Sequence, residues 1–501
     1  MNLLLANSGN CLISKGDVNF LLNSKTVRKQ GWSALLWGKN GILFLTFTGG
    51  VVLHATNVYI VITILPSLIS ELSGEFYYSW VATVFIIASL LGTSLATKIL
   101  GKIGARKAYI ISGLIFAVGT FICSFASTMP LFLIGRFVQG FGSGSLLSLS
   151  YSMIRIVFHP SVWSYALSTI SGMWGISTLL GPAIGGISIY YGVWRASFWG
   201  IGALALVFSL IAFQVLPKEN KNYISTSPLP LAQLFILSLL LFIISVGGAM
   251  DTTITKICGL VIGLSLLFIL AKVESSTLSR MLPRNSFSFF SEFFPVYALI
   301  LIMTIAVYSI ELYLPLFLQE LHGQSPLIAG YIASLMSLGW TCGSLSSAGV
   351  SIKKVRRFII YSPILNIWGI SILLWLIPTE SSTFKHIFII CVSLFAIGMS
   401  AGLAWPHLLK RILQCANDED ALRASESLTS VQLFSAALSA ALAGTITNLA
   451  GLFDPGGIVG MILAAKTLLG ALIFLLFYFG IPFALRVSYS ISKNPKGQSK
   501  S

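Results

Sequence analysis

Long apolar runs recur along this chain from residue 41 almost to its end, and they constrain its fold more than any other feature. A run of about 18 apolar residues can form a helix that crosses the hydrocarbon core of a bilayer. Hydrophobic residues make up 56% of the sequence and charged residues only 9%, whereas soluble domains carry about 25% charged residues. A soluble fold could not bury so much apolar surface, so the pattern indicates an all-α integral membrane protein.

The apolar runs divide the chain into fourteen segments of spanning length. At a rise of about 1.5 Å per residue, each segment is long enough to cross a hydrocarbon core of about 30 Å. The division is weakest between the seventh and eighth segments, which only a short break at 247–253 separates. We therefore predict transmembrane helices at 41–68, 77–99, 108–128, 131–156, 163–189, 194–216, 229–248, 253–272, 293–318, 325–350, 357–378, 384–406, 426–451 and 459–484.

The positions of the basic residues test this map independently. With a cytoplasmic N-terminus, the inner segments hold 26 of the 31 Lys and Arg residues, the outer loops hold three, and two lie within spans. Basic residues accumulate in cytoplasmic loops, so this bias predicts an even number of spans and both termini in the cytoplasm. The same bias accounts for the net charge of +16 without a nucleic-acid partner, since no groove-binding motif accompanies it.

Two stretches of the chain resemble each other. The first predicted span ends in ITILPSLISEL and the ninth in ELYLPLFLQEL, and each is followed by a short outer loop, a span and a tight basic loop. Parallel repeats of this kind are typical of transporters. We therefore predict an N-terminal cytoplasmic tail at 1–40, a six-helix bundle at 41–216, two inserted spans with linkers at 217–292, a second six-helix bundle at 293–485 and a cytoplasmic tail at 486–501.

The most specific motifs lie in the fourth and fifth predicted spans. GRFVQGFGSG at 135–144 resembles the R-x-x-Q-G-x-G motif of the major facilitator superfamily, and within it of the fourteen-span drug:proton antiporter family. GISTLLGPAIGG at 175–186 is similar to the Gly-Pro signature of that family's fifth helix. The likeness extends to 313–330 and 396–409 in the second half. The residues that match the two motifs are Arg136, Gln139, Gly140, Gly142, Gly181, Pro182, Gly185 and Gly186.

This resemblance implies a secondary active transporter in which two six-helix bundles rock about a cavity near the middle of the membrane. It implies proton-coupled efflux of an amphipathic small organic molecule, either a drug-like compound or a metabolite. The expected partners are the small-molecule substrate, protons and the lipid bilayer, with no cofactor, no metal and no enzymatic activity. We expect a monomer in a bacterial cytoplasmic (inner) membrane.

The sequence departs from the family pattern at two places. Asn57 stands where the family's first span usually carries Asp, nine residues before Pro66. The loop that usually reads G-x-L-a-D-r-x-G-r-R is TKILGKIGAR at 97–106, which keeps Gly104 and Arg106 but has Gly101 in place of the Asp. In the family this loop helps to lock the inward gate. The missing carboxylates leave open a uniporter or importer of a metabolite or siderophore, or a degenerate transporter that acts as a sensor.

Two charged residues within predicted spans are candidates for the transport site. A charge in hydrocarbon is costly unless it faces a wet cavity or a partner. Glu311 lies deep in the ninth span, four residues before Pro315, and is the first candidate for loading and releasing a proton. Arg136 is a candidate relay or anion-binding group. The alternatives are an ion pair between Glu311 and Arg136 across the two halves, and an Arg136 side chain that snorkels to the membrane surface.

Three uncharged or weakly basic residues complete the predicted site. His54 lies one turn before Asn57, and its imidazole could titrate in place of the missing Asp, although a hydrogen-bonded structural His is equally consistent with the sequence. Asn57 and Gln139 cannot carry a proton charge but can hydrogen-bond a substrate. We expect aromatic residues such as Trp174 and Tyr313 to line the same cavity.

The glycines of the fifth span have a mechanical interpretation. Gly181, Gly185 and Gly186 allow close helix contact, and Pro182 bends the helix. In the family this helix seals the cavity on one side, so we predict that these residues act in gating, together with Gly104 and Arg106. Ordinary helix packing would use the same contacts.

Overall fold

The computed structural model describes residues 38–72, 77–158, 162–216, 230–250, 252–277, 279–379, 383–417, 420–452 and 456–493. These residues are helical apart from the connections between helices, of which 277–292 is the longest, as predicted. The N-terminal tail before residue 38, the linker at 217–229 and the last eight residues lie outside them. The helices are α1 (Gly38–Glu71), α2 (Tyr78–Phe125), α3 (Met129–Val157), α4 (Trp163–Tyr190), α5 (Arg195–Val215), α6 (Leu231–Ala249), α7 (Thr253–Ser276), α8 (Phe293–Glu320), α9 (Pro326–Ser347), α10 (Ile352–Leu376), α11 (Phe384–Cys415), α12 (Ala421–Leu449), α13 (Gly457–Leu475) and α14 (Ile481–Lys493).

Every predicted span overlaps one of these helices. The second and third spans both fall in α2, and the last falls in α13, the π-helical turn Leu476–Gly480 and the start of α14. Twelve helical segments of the described chain are long and apolar enough to cross a membrane, so the count of fourteen stays a prediction. The segments that fall short are Trp80–Ala96, which is short, and α3, which is rich in serine and glycine and contains Arg136.

A glycine divides α2 into two arms. Gly104 has φ 78° and ψ 166°, a backbone conformation that interrupts the helix between the second and third predicted spans. Glycine adopts positive φ without the steric cost that a Cβ brings. Without this break, the 48 residues of α2 would extend roughly 72 Å, more than twice the hydrocarbon thickness.

Backbone-to-backbone contacts hold the helices of each half together. In the N-terminal half α2 packs against α3, where a Cβ on Gly119 would lie 2.1 Å from the backbone nitrogen of Gln139. In the C-terminal half α9 packs against α11, where a Cβ on Gly398 would lie 1.6 Å from the carbonyl oxygen of Met336. Small residues at such contacts are typical of helix packing in membranes, because they let backbones approach closely.

The two halves meet along two seams. Helix α4 packs against α9, and α12 packs against α2 and α3. Helices α6 and α7 pack on each other, and α6 also contacts α12 and α2. In the most apolar 18-residue stretch of α7, only 17% of the residues are buried inside the protein. The corresponding stretch of α8 is 78% buried. Helix α8 is therefore central, whereas α7 lies at the periphery.

Candidate functional site

A narrow cavity lies between the two halves. It has a volume of about 60 Å³, enough for only a few water molecules. Pockets that hold drug-sized ligands occupy roughly 300–1,000 Å³, so an organic cargo fits only after the halves move apart. Its lining is rich in aromatic side chains and comprises Tyr59, Tyr151, Ser171, Trp174, Thr304, Val307, Tyr308, Glu311, Ser337, Trp340, Trp405 and Gln432.

Glu311 supplies the carboxylate of this cavity. It projects from the central helix α8 and is only 9% exposed. Its Oε1 accepts a hydrogen bond from the Ser337 hydroxyl of α9 at 3.1 Å, and the Ser337 oxygen lies 3.2 Å from the Tyr59 hydroxyl of α1. The carboxylate of one half is thus connected through a serine to a tyrosine of the other half.

Arg136, Gln139 and Asn57 form a buried polar network within the N-terminal half. The Arg136 Nη1 donates to Gln139 Oε1 at 2.6 Å, and its Nε donates to the Val81 carbonyl at 3.2 Å. Gln139 Nε2 donates to Asn57 Oδ1 at 3.0 Å and to Thr120 Oγ1 at 2.8 Å. Neither Arg136 nor Glu311 belongs to the ion pairs of the described chain, which are Arg195–Glu71, Arg411–Glu292 and Arg423–Asp420.

His54 lies between this network and the cavity. Its Nδ1 is 2.7 Å from the Ser143 hydroxyl. Its ring packs 5.7 Å from that of Phe85 and 5.5 Å from that of Trp174, measured between centroids. Phe85 also lies 4.0 Å beneath the Arg136 guanidinium, and Trp174 lines the cavity. Arg136, Gln139, Asn57 and His54 are therefore neighbours, and aromatic rings separate them from Glu311.

The motif glycines bring α4 into close contact with α1 of its own half and with α9 of the other half. A Cβ on Gly181 would lie 2.3 Å from the Cβ of Tyr59, and one on Gly185 would lie 3.0 Å from the Cβ of Thr63, both on α1. A Cβ on Gly186 would lie 2.7 Å from Leu327 of α9 in the other half. These contacts allow α4 to hold the cavity residue Tyr59 against the seam between the halves. Pro182 lies between these glycines, inside α4.

Gly104 and Arg106 lie away from the cavity. Gly104 forms the break between the arms of α2. The Arg106 guanidinium packs 4.1 Å from the ring of Phe213 on α5, and its Nε is buried without a hydrogen-bond partner in the described chain. Neither residue lines the cavity, so any part they play in gating is exerted at a distance from it.

An ion pair ties three helix ends on the opposite side of the bundle from Gly104. Arg195 pairs with Glu71 at the end of α1 and donates to the Ala126 carbonyl at the end of α2, at 2.9 Å. Trp194 Nε1 donates to Glu71 Oε2 at 2.6 Å. Hydrogen bonds from Arg195 and Trp194 lower the pKa of the Glu71 carboxyl. These contacts join the ends of α1 and α2 to the start of α5.

Sequence reasoning missed most of the cavity lining. Tyr59, Ser337, Trp340 and Trp405 are uncharged side chains in apolar runs, and nothing in their local sequence separates them from ordinary helix packing. Gln432 was weakly identifiable from the sequence, since an amide within a span needs a hydrogen-bond partner. In the structure its Nε2 is 3.2 Å from the Tyr151 hydroxyl, across the contact of α12 with α3.

Tyr313 does not line the cavity, contrary to expectation. It follows Glu311 by two residues, which turns its side chain by about 200° around the helix. Its hydroxyl instead lies toward α12, 3.3 Å from where a Cβ on Gly444 would be. Trp174 does line the cavity, as predicted.

Comparison with known proteins gives consistent matches. The family model of the Major Facilitator Superfamily matches residues 47–443. A probable multidrug-efflux transporter of Mycobacterium tuberculosis is 29% identical over 420 residues, which cover 81% of this chain and 87% of that protein. The multidrug efflux pump SdrM of Staphylococcus aureus is 25% identical over 300 residues, 59% of this chain and 66% of the pump.

A solved structure has a similar fold. The crystal structure of the human organic anion transporter MFSD10 (TETRAN) superposes with a TM-score of 0.60 at 14% sequence identity, over 87% of this chain and 99% of that one. At this identity the likeness shows the fold alone.

Proposed function

The chain belongs to the Major Facilitator Superfamily of transporters, and we propose that it exports amphipathic small organic molecules in exchange for protons. The two halves rock about the cavity and expose it alternately to each side of the membrane. The cargo is a drug-like compound or a metabolite. Multidrug efflux proteins among the relatives support this choice.

The observation that carries the proposal is the position of Glu311, a buried carboxylate in a cavity of only about 60 Å³ between the halves. A carboxylate is costly where water cannot reach it, and opening the cavity removes that cost. The charge on Glu311 and the hydration of the cavity are therefore linked. Because Ser337 connects the carboxyl to Tyr59 of the other half, a change in charge also acts on the contact that closes the cavity.

The lining favours a cargo with an apolar body. Ligand pockets are lined mostly by apolar and aromatic side chains, with a few polar groups that fix orientation. Here Trp174, Trp340 and Trp405 supply flat apolar surface, while Gln432 and Glu311 supply polar groups. An amphipathic organic molecule fits this combination once the cavity has widened.

Reconstituted vesicles test the proposal. We expect purified protein to move fluorescent amphipathic dyes when a proton gradient is imposed, and Glu311→Gln to lose at least about nine-tenths of the gradient-driven rate, because the amide cannot bind and release a proton. Glu320→Gln is the matched control, since Glu320 is an exposed carboxylate at the end of the same helix. It should transport at the wild-type rate.

Each alternative predicts a different result. Transport that survives collapse of the proton gradient indicates a uniporter, and gradient-independent uptake into oriented vesicles indicates an importer. A protein that moves none of the dyes in either direction fits a sensor. Normal gradient-driven transport by Glu311→Gln would overturn the assignment of the coupling residue.

We also infer fourteen crossings, arranged as six, two and six, with both termini in the cytoplasm of a bacterial cell. The break at Gly104 supports two crossings within α2, and the charge bias supports an even count. Reporter fusions at residues 102, 127 and 160 should report a cytoplasmic, an external and a cytoplasmic location, in that order. If Trp80–Ala96 and α3 did not cross, these fusions would not alternate.

A further inference from the structure

The end of the last span carries an amphipathic helix. The 19 residues of α13 and the five residues of the π-helical turn rise roughly 36 Å, which is enough to cross the hydrocarbon core. Helix α14 therefore begins at the membrane surface. Its buried face presents Ala484, Val487 and Ser488 to the bundle, while Leu485 and Tyr489 are 50% and 58% exposed.

Basic and aromatic groups meet on the outward side of α14. Arg486 donates to the Phe289 carbonyl, and its guanidinium lies 4.3 Å from the Phe289 ring. About two turns further along α14, the Lys493 ammonium lies 5.1 Å from the Tyr489 ring. Phe290 is 90% exposed. We call these five residues, Phe289, Phe290, Arg486, Tyr489 and Lys493, the basic aromatic face.

A second group of cations adjoins this face. Helix α10 packs against α14, and the Arg356 Nε lies 3.2 Å from the Ser488 hydroxyl. Lys353, Lys354 and Arg357 occupy the same first turns of α10 and are exposed. In the described part of the chain, none of these cations or those of the basic aromatic face forms an ion pair. Their positive charge is therefore available to an external anion.

We propose that the basic aromatic face binds the headgroup of an anionic phospholipid in the adjoining leaflet. The cations of α14 and α10 attract the lipid phosphate, and the exposed aromatic rings lie at the level of the glycerol and upper acyl chain. Helices with basic residues on the polar face and aromatic residues beside them lie in the membrane interface in this way. This binding is separate from cargo transport and does not depend on it.

Lipid retention measures the binding directly. Purified protein is equilibrated with equal amounts of phosphatidylglycerol and phosphatidylcholine of the same acyl chains, and bound lipid is counted by native mass spectrometry. We expect the wild type to retain phosphatidylglycerol preferentially. In Arg486→Gln/Lys493→Gln this preference should fall by at least about fivefold, since each basic residue near an anionic surface contributes a factor of about five.

A matched pair of cations on a different loop provides the control. Lys102→Gln/Lys107→Gln removes the same charge from exposed positions near Gly104 and should keep the wild-type preference. The charge-preserving variant Arg486→Lys/Lys493→Arg should also keep it, which separates loss of binding from loss of folding. An equal fall in both Gln variants would show a general charge effect and overturn the site.

A soluble competitor identifies the source of the phosphate. Glycerol phosphate at millimolar concentration should not displace the bound phosphatidylglycerol, because the aromatic rings need the glycerol and acyl region of a lipid. Full displacement would assign the face to free phosphate compounds and overturn the proposal.

Discussion

At the scale of single residues, the Glu311 carboxylate is bonded by Ser337 of α9 and, through that serine, is connected to Tyr59 of α1. Arg136 and Glu311 were identifiable because a charge within an apolar run is costly and therefore needs a reason. Ser337 and Tyr59 were not identifiable, because a serine hydroxyl in a helix can bond its own backbone and a tyrosine in an apolar run can simply pack against other helices. Packing of α9 against α8, and of α1 against α9, brings these two hydroxyls to the carboxylate.

Position 57 allows a test of whether a carboxylate in the first span, where the family usually has Asp, can bind a proton during transport. The Asn57 Nδ2 is buried and has no acceptor in the described chain, whereas its Oδ1 accepts from Gln139. In Asn57→Asp, the carboxylate can still accept from Gln139, and no unpartnered donor remains. We expect this change to add a second proton-binding group near Arg136 and to restore part of the proton-driven transport of Glu311→Gln, measured in vesicles.

Asn366→Asp is the control for this rescue. Asn366 is equally buried and, like Asn57, does not line the cavity, but it bonds Ser362 and Ser400 within the C-terminal half instead of Gln139. A similar gain from Asn366→Asp would mean that any buried carboxylate suffices. No gain from Asn57→Asp would show that the position of Asn57 is not equivalent to the family's carboxylate.

At the scale of helices, hydropathy located the long apolar helices, but it missed the part of α14 beyond residue 484 and misjudged several other helix ends. Helix α10 begins at Ile352 instead of 357, and α11 continues to Cys415 instead of 406. Apolar runs mark the part of a helix that lies in lipid, but hydrogen bonding continues into the polar region until a breaker intervenes. The shared helix of the second and third spans was missed for the same reason, since only Gly104 interrupts it.

The conformation of Gly104 predicts a specific sensitivity. Its φ of 78° with ψ of 166° lies in a region that is open essentially to glycine alone, and a side chain there costs about 1–3 kcal/mol. We expect Gly104→Ala to lower the midpoint of thermal unfolding in detergent. Gly200→Ala is the control, because Gly200 lies in α5 with open space around it, and alanine favours a helix. A midpoint at or above that of the wild type for Gly104→Ala would contradict the strained position.

At the scale of the whole molecule, transport requires the seams to separate. Two halves joined by α4 on α9 and by α12 on α2 and α3 enclose a cavity too small for an organic cargo. The sequence indicated two related halves through its repeat, but it could not predict which helices form the seams, because those contacts join residues more than a hundred positions apart. The contact between Gly175 of α4 and Thr341 of α9 is one example.

A reversible crosslink across one seam tests this movement. A Cβ on Gly330 of α9 would lie 3.9 Å from the Cβ of Pro182 on α4, within the range for a disulfide. We expect Pro182→Cys/Gly330→Cys to lose dye transport after mild oxidation and to regain it after reduction, as the halves are locked and released. Each single variant should be insensitive to both treatments. Undiminished transport by the oxidised double variant would show that this seam stays closed throughout the cycle.

The small cavity also bears on how inhibitors of this protein can be found. A compound that binds only the widened cavity pays for the opening, and its apparent affinity falls in proportion to the fraction of molecules that are open. If one molecule in about a hundred is open, a screen reads affinities about a hundredfold too weak. An antibody fragment or a crosslink that holds the seams apart would remove this penalty and reveal inhibitors that the closed conformation conceals.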